Sequence, residues 1–153
     1  MGYSAGLSNA DLLSAIHHAH IFSGIGLIEQ KMLAEKSIVT HSGPDEIVIE
    51  QGDIGDKLYI IIDGQMEVSI KDINVGRKRI SVLGPGDVFG EIAILRRIPR
   101  TARVSTLTAC NFLSINAHDF FQAYQYFPAR ARDNIQLVIA KRLQELEARR
   151  RAH

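Results

Sequence analysis

"FGEIAILRRIPRTARV", Phe89 to Val104, opens with a glycine and an acid and closes, nine residues after that acid, on Arg100 between Pro99 and Thr101. Gly90 lets a backbone come close to another group. The stretch from Glu91 to Leu95 can form a single helical turn, whose free N–H groups and dipole favour an anion. Arg100 offers a planar fork that suits two phosphate oxygens at once. Thr101 adds a hydroxyl donor. Glu91 accepts hydrogen bonds only, so it suits a sugar hydroxyl rather than a phosphate. Two arrangements fit these residue types. In one, Glu91 and Arg100 pair with each other and close a loop. In the other, they line a nucleotide pocket.

The strand "TARVSTL" that follows would hold Arg100 and Thr101 on a rigid frame. Upstream, "LGPGDVFGE" places Gly84, Pro85 and Gly86 in a turn before a strand-like Val88-Phe89. Further out, glycine divides the chain. Eight of the 12 glycines lie between Gly43 and Gly90, and none follows Gly90. The middle therefore reads as short strands joined by tight turns, with helices before and after.

"LSNADLLSAIHHAHIF" is predicted helical, with Ser8 as cap and Asp11 three residues on. "LIEQKMLAEK" is predicted as a second short helix. "SIVTHSGPDEIVIEQGD" reads as two strands about Gly43-Pro44. "KLYIIIDGQMEVSI" reads as a hairpin, because two β-rich runs flank Asp63-Gly64, the pair a type I′ turn requires. "RKRISVL" alternates as a half-buried strand does. "TARVSTLTACNFLSIN" reads as one more strand pair. Asn116 can cap "AHDFFQAY". Pro128 opens a long helix, "PARARDNIQLVIAKRLQELEARRR", with an apolar stripe of Ile135, Ile139, Leu143 and Leu146. The expected fold is mainly β with flanking helices: an antiparallel jelly-roll barrel, N-terminal helices and a long C-terminal helix. One domain spans residues 8–150, and "MGYSAG" carries no structural weight.

The 153 residues suffice for a buried core, and 46% hydrophobic against 23% charged is an ordinary globular balance. No apolar run is long enough to span a bilayer and no secretory pattern opens the chain. Cys110 is the single cysteine, so no internal disulfide can form. A cytoplasmic location is expected. Residues 1–95 carry 7 Lys/Arg against 13 Asp/Glu, and residues 96–153 carry 11 against 4. The basic half suits a small anionic ligand, an acidic partner or nucleic acid, or is a solvated helix face.

The stretch at 89–104 resembles the phosphate-binding cassette of the cyclic nucleotide-binding domain family, in Phe89-Gly90-Glu91-Ile92-Ala93, then Pro99-Arg100-Thr101-Ala102, then Val104. "GDIGDKLYIIIDGQMEV" and "LGPGDVFGE" resemble the family's hairpin and its approach to the cassette, so residues 10–148 are covered. The resemblance implies that Arg100 pairs with the cyclic phosphate of cAMP or cGMP and that Glu91 accepts from the ribose 2′-OH. It implies that the N–H groups of Gly90, Ile92 and Ala102 assist and that Thr101 reaches the phosphate. A hydroxyl at that position also favours cGMP in the family. Ile73, Ser81, Leu83 and Ala93 fall where relatives line the base. Arg142, in "VIAKRL", falls where channel relatives carry a lid arginine, with Leu143 as its neighbour; a solvated helix charge is the other reading of Arg142.

The expected function is a cyclic nucleotide sensor that closes its C-terminal helix on the ligand, binds without hydrolysing, and needs no cofactor and no metal. A metal-dependent cupin is the enzymatic rival, but no histidine lies near Phe89. On a predicted helix His18 and His20 point to different faces, and His17 and His20 share one without a third ligand. Cys110, in a predicted strand, packs rather than reacts. The other rival is the effector-binding part of a catabolite-activator-type regulator, since this chain ends at His153, about where a helix-turn-helix would begin. Channel, kinase or DNA-binding outputs are the expected attachments, and the C-terminal helix is a candidate homodimer contact.

Overall fold

The computed structural model describes residues 7–151, with the side chain of Arg151 left aside; "MGYSAG" falls outside the described residues. Helix α1 (Asn9–His17) starts as its sequence dictates. Ser8 accepts from the Asp11 amide and Asp11 returns the bond to the Ser8 amide, which satisfies two donors left open at a helix start. Helix α1 stops at His17, with His18 as its C-cap, and a 3-10 turn takes up His20–Phe22. The single helix expected through Phe22 is thus two pieces. His17 and His20 therefore do not share a helical face. Helix α2 (Leu27–Lys36) follows as predicted.

Among the described residues, eight strands form two antiparallel sheets of four. Strands β1 (Ile38–Ser42), β3 (Lys57–Asp63), β6 (Val88–Phe89) and β8 (Cys110–Asn116) make one sheet, in the order β1-β8-β3-β6. Strands β2 (Ile47–Ile49), β4 (Met66–Asp72), β5 (Gly76–Leu83) and β7 (Arg103–Thr106) make the other, in the order β2-β7-β4-β5. Successive strands cross repeatedly from sheet to sheet, as a jelly roll requires.

This crossing corrects two expected pairings. β3 and β4, and β7 and β8, straddle the two sheets and do not pair with each other, and the two strands about Gly43-Pro44, β1 and β2, likewise lie in different sheets. At Asp63-Gly64 the reason is visible. Only Gly64 has a positive φ, whereas a type I′ turn needs one at both residues. The Asp63 carboxylate accepts from the backbone and side-chain amides of Asn111, which fastens the end of β3 to β8. The next carbonyl but one, Gln65, accepts from Leu107, which delivers β4 to β7. The paired hairpin is β4–β5, running from Met66 opposite Leu83 to Asp72 opposite Gly76 with a register shift between Val68 and Ser69.

The alternation along β3 sorts its side chains between two cores. Along β3, Leu58 and Ile60 face the helices, while Tyr59 and Ile61 join Met66, Val104 and Phe112 between the sheets. β3 is apolar on both faces, which is why "YIII" does not alternate. The helical core gathers α1, α2, α4 (Ala117–Tyr124) and the long α5 (Ala129–Arg151). Asn116 caps α4 by accepting from the Asp119 amide. Phe120 is fully buried at the centre, with the rings of Phe22, Phe121, Tyr124 and Phe127 around it at 5.3–6.1 Å centroid distances. The stripe on α5 is used as its spacing predicts: Ile135 and Ile139 enter this core, and Leu146 packs with Ile70 and Ala102. Phe120→Ala should therefore destabilise the domain by about 3–5 kcal/mol. Urea unfolding followed by circular dichroism checks this, and a loss under about 1 kcal/mol would mean that the aromatic cluster is not the anchor of the helices.

Candidate functional site

The segment between β6 and β7 lies against the inter-sheet core. Gly90 ends β6 in the left-handed region, φ 83°, and is the N-cap of α3 (Glu91–Arg96). The turn expected over Glu91–Leu95 is this helix. A side chain at residue 90 would be strained, and its Cβ would lie 2.8 Å from an Arg100 nitrogen and 3.0 Å from the Lys57 carbonyl oxygen. α3 ends on Arg97, also left-handed at φ 53°, and Pro99 cannot extend the helix. The chain then reverses into Arg100.

The backbone of Arg100 is clamped by the loop between β2 and β3. Its amide donates to the Asp53 carbonyl at 2.8 Å, and its carbonyl accepts from Gly52 at 2.8 Å. Its side chain is 5% exposed. One terminal nitrogen donates to the Gly90 carbonyl and the other to the Lys57 carbonyl, both at 2.8 Å. The guanidinium carbon lies 5.8 Å from the centre of the Tyr59 ring, which itself stacks on Phe89 at 4.8 Å. Burial pulls the Arg100 pKa below its usual value, opposed by Tyr59, Asp56, Glu91 and Asp53. Burial likewise pushes the Tyr59 hydroxyl up.

Glu91 does not pair with Arg100. This removes the loop-closing ion pair that the sequence left open. Glu91 is 3% exposed. Its Oε1 accepts from Arg142 on α5, whose same nitrogen donates to the Val88 carbonyl at 2.8 Å. Its Oε2 is buried and has no partner among the described residues. So a buried cation held by carbonyls lies here near a buried acceptor with an oxygen left over.

Both groups line one cavity of about 250 Å³ between the sheets and α5. Gly90, Ile92, Ala93, Thr101 and Ala102 line it from the α3 and β7 side. Ser81 and Leu83 come from β5, and Arg142 from α5. The first N–H groups of α3 have no intrahelical acceptor, as at any helix start. Arg142 is thus bonded into the site, not a free helix charge.

A model of the cyclic nucleotide-binding domain matches residues 39–127. The chain belongs to that family. It is 32% identical over 118 residues to the human voltage-gated inwardly rectifying potassium channel KCNH6, covering 76% of this chain and 12% of the channel. The fold is shared with the regulatory domain of Toxoplasma gondii PKA, solved with cAMP, at TM-score 0.73 and 22% identity, over 90% of this chain and 50% of that one. It is shared too with the Thermus thermophilus catabolite activator protein, at TM-score 0.73 and 22% identity, over 84% of this chain and 60% of that one. The chain thus spans only part of each relative's length.

One residue expected from the family resemblance does not join the site. Ile73 sits at the tip of the β4–β5 turn and is fully exposed. The Asp72 carboxylate accepts from the amides of Asn74 and Val75, which tightens that turn and throws Ile73 outward. Residues that sequence reasoning missed include Glu145 and Leu146, which line the cavity from α5, and Val68 and Ile80 from β4 and β5. The stripe spacing on α5 already marked Leu146. Val68 and Ile80 needed the strand pairing.

The Glu91–Arg142 contact fastens α5 to the cassette. Glu91→Ala and Arg142→Ala should each speed amide exchange over residues 139–146 by similar factors, with no further gain in the double variant. Additive effects in mass-spectrometric exchange would mean that each residue acts separately on α5.

Proposed function

We propose that the cavity binds a purine 3′,5′-cyclic nucleotide and that α5 responds to it. The observation that carries this reading is the pairing of unmet needs: among the described residues, Arg100 is buried without a carboxylate bonded to it, and Glu91 Oε2 is buried without a donor. A buried group of either kind is costly unless something satisfies it. An anion at Arg100 and a hydroxyl at Glu91 answer both, and a cyclic phosphate fused to a ribose carries the two on one rigid frame. Family membership points to the same ligand class.

In this reading Arg100 and the first amides of α3 hold the phosphate, with the amides of Gly90 and Ala102 assisting. Glu91 Oε2 accepts from the 2′-OH. Thr101 donates to the phosphate and, with guanine, meets the exocyclic amine, while Ser81, Leu83 and Ala93 flank the base. The protein binds its ligand and releases it unchanged. Among the described residues, no three His, Cys, Asp or Glu side chains gather as metal ligands, and no helix is long and apolar enough to cross a membrane.

α5 supplies Arg142, Glu145 and Leu146 to one wall, so the size of the cavity depends on where α5 rests. A ribose hydroxyl at Glu91 reaches a carboxylate already tied to that helix. Ligand therefore biases α5 by the difference in its affinity for the two helix positions. An attached output, whether channel, kinase or DNA-binding domain, would read that shift, and a catabolite-activator-type regulator could use the same site.

Calorimetric titration with cAMP and cGMP side by side tests the ligand class. Arg100→Ala should weaken binding by at least about thirtyfold, as loss of a buried charged hydrogen-bonding group does. Affinity within threefold of the wild type would sink the phosphate assignment. Thr101→Ala should cost cGMP more than cAMP by about 1 kcal/mol, the worth of one hydrogen bond. Equal losses would confine Thr101 to the phosphate.

A further inference from the structure

Gly55 lies in the β2–β3 loop, outside the cassette and outside the cavity lining. A Cβ built on it would lie 2.1 Å from the guanidinium carbon of Arg100, 2.1 Å from Nε and 2.5 Å from Nη2. The three nearest atoms it would meet all belong to Arg100. Gly55 is also not among the glycines with positive φ, so its backbone conformation is open to any residue. What position 55 requires is empty space, and the guanidinium fills that space.

We propose that Gly55 is a positioning residue for the anion site: its missing side chain forms the slot that holds the Arg100 fork in its binding position. This rests on the cyclic nucleotide reading for its ligand, though not for its geometry. The slot has three further walls. Gly90 leaves room on the cassette side, with its own Cβ position 2.8 Å from Nη1. The Gly90 and Lys57 carbonyls take one hydrogen from each terminal nitrogen. Of the five guanidinium N–H bonds, these two fix the plane, and an anion draws on the other three.

The same loop clamps the backbone of Arg100 through Asp53 and Gly52, so Gly55 and the Arg100 main chain cannot move apart independently. A side chain at 55 must therefore be relieved by the flexible end of Arg100. That end swings out of the slot and leaves both carbonyls. The fold tolerates this, because the three nearest atoms all lie at that flexible end. Anion binding does not, because the fork loses its orientation. The size of residue 55 thus sets anion affinity through Arg100 alone.

The test is a double-mutant cycle on the full chain, titrated with cAMP and cGMP. Gly55→Ala should weaken the tighter ligand by tenfold or more, on the order of the loss of one charge-assisted hydrogen bond. In the Arg100→Ala background the same substitution should change affinity by less than about twofold. Arginine-selective NMR gives a readout independent of ligand: the terminal Nη–H signals assigned to Arg100, held by the Gly90 and Lys57 carbonyls in the wild type, should lose their protection in Gly55→Ala. Wild-type affinity in Gly55→Ala, an equal loss in both backgrounds, or an unchanged Arg100 signal would each overturn the proposal. If Gly55→Ala does not fold, the Gly55→Ala/Arg100→Ala protein should fold, and its failure would show that the glycine serves the loop rather than the arginine. A wild-type protein that binds neither nucleotide would end the functional reading, and the NMR comparison would still decide the slot.

Discussion

Arg100 is a charged group at 5% exposure whose two terminal nitrogens donate to the carbonyl oxygens of Gly90 and Lys57. Removing a guanidinium from water is costly, and carbonyl dipoles offset only part of that cost. Much of the surrounding architecture follows from keeping it there. Two glycines from different loops leave room for it. The β2–β3 loop grips its backbone on both sides. The Tyr59–Phe89 stack lies alongside, between the two sheets. A charge held this way is stabilised further by any anion that reaches it, so the cost in the empty state becomes affinity in the filled one.

Glu91 supplies the complementary constraint. It is as buried as Arg100, yet its partner comes from α5 rather than from the cassette. The carboxylate therefore belongs to two systems at once. One oxygen connects to the long helix, and the other is open toward a donor. The hydrophobic contacts of α5 run in parallel. Ile135 and Ile139 tie its first half to the helical core, while Leu146 touches Ile70 and Ala102 beside the cavity. The first half is anchored by the core, and the second half rests on the site.

The local features legible in the sequence were those set by neighbours within a few residues. Capping at Ser8 and Asn116, the α2 boundaries, the β6–α3 turn and the α5 stripe all depend on bonds or spacings of about one helical turn. The cassette was legible as a string because Glu91 and Arg100 sit on one short connection. Strand partnership was not legible. Asp63-Gly64 reads as a hairpin until Asn111, 48 residues away, takes the Asp63 carboxylate. Ile73 was misplaced for a different reason: the Asx-type turn at Asp72 that decides its direction is local, but the strand register that places it at the turn tip was not known.

The sequence alone determined the elements, their order, and the chemical types gathered at the cassette: an acid, an arginine, a hydroxyl and a helix start. It left open whether Glu91 and Arg100 meet each other, because spacing along a chain does not specify which of two carboxylate partners is nearer in space. Tertiary structure decided that point by bringing Arg142, 51 residues from Glu91, onto its oxygen, and Lys57, 43 residues from Arg100, onto its guanidinium. It also gave Gly55 its meaning. A glycine's missing side chain can be interpreted only from what occupies the space, and here that is the end of a side chain from another loop.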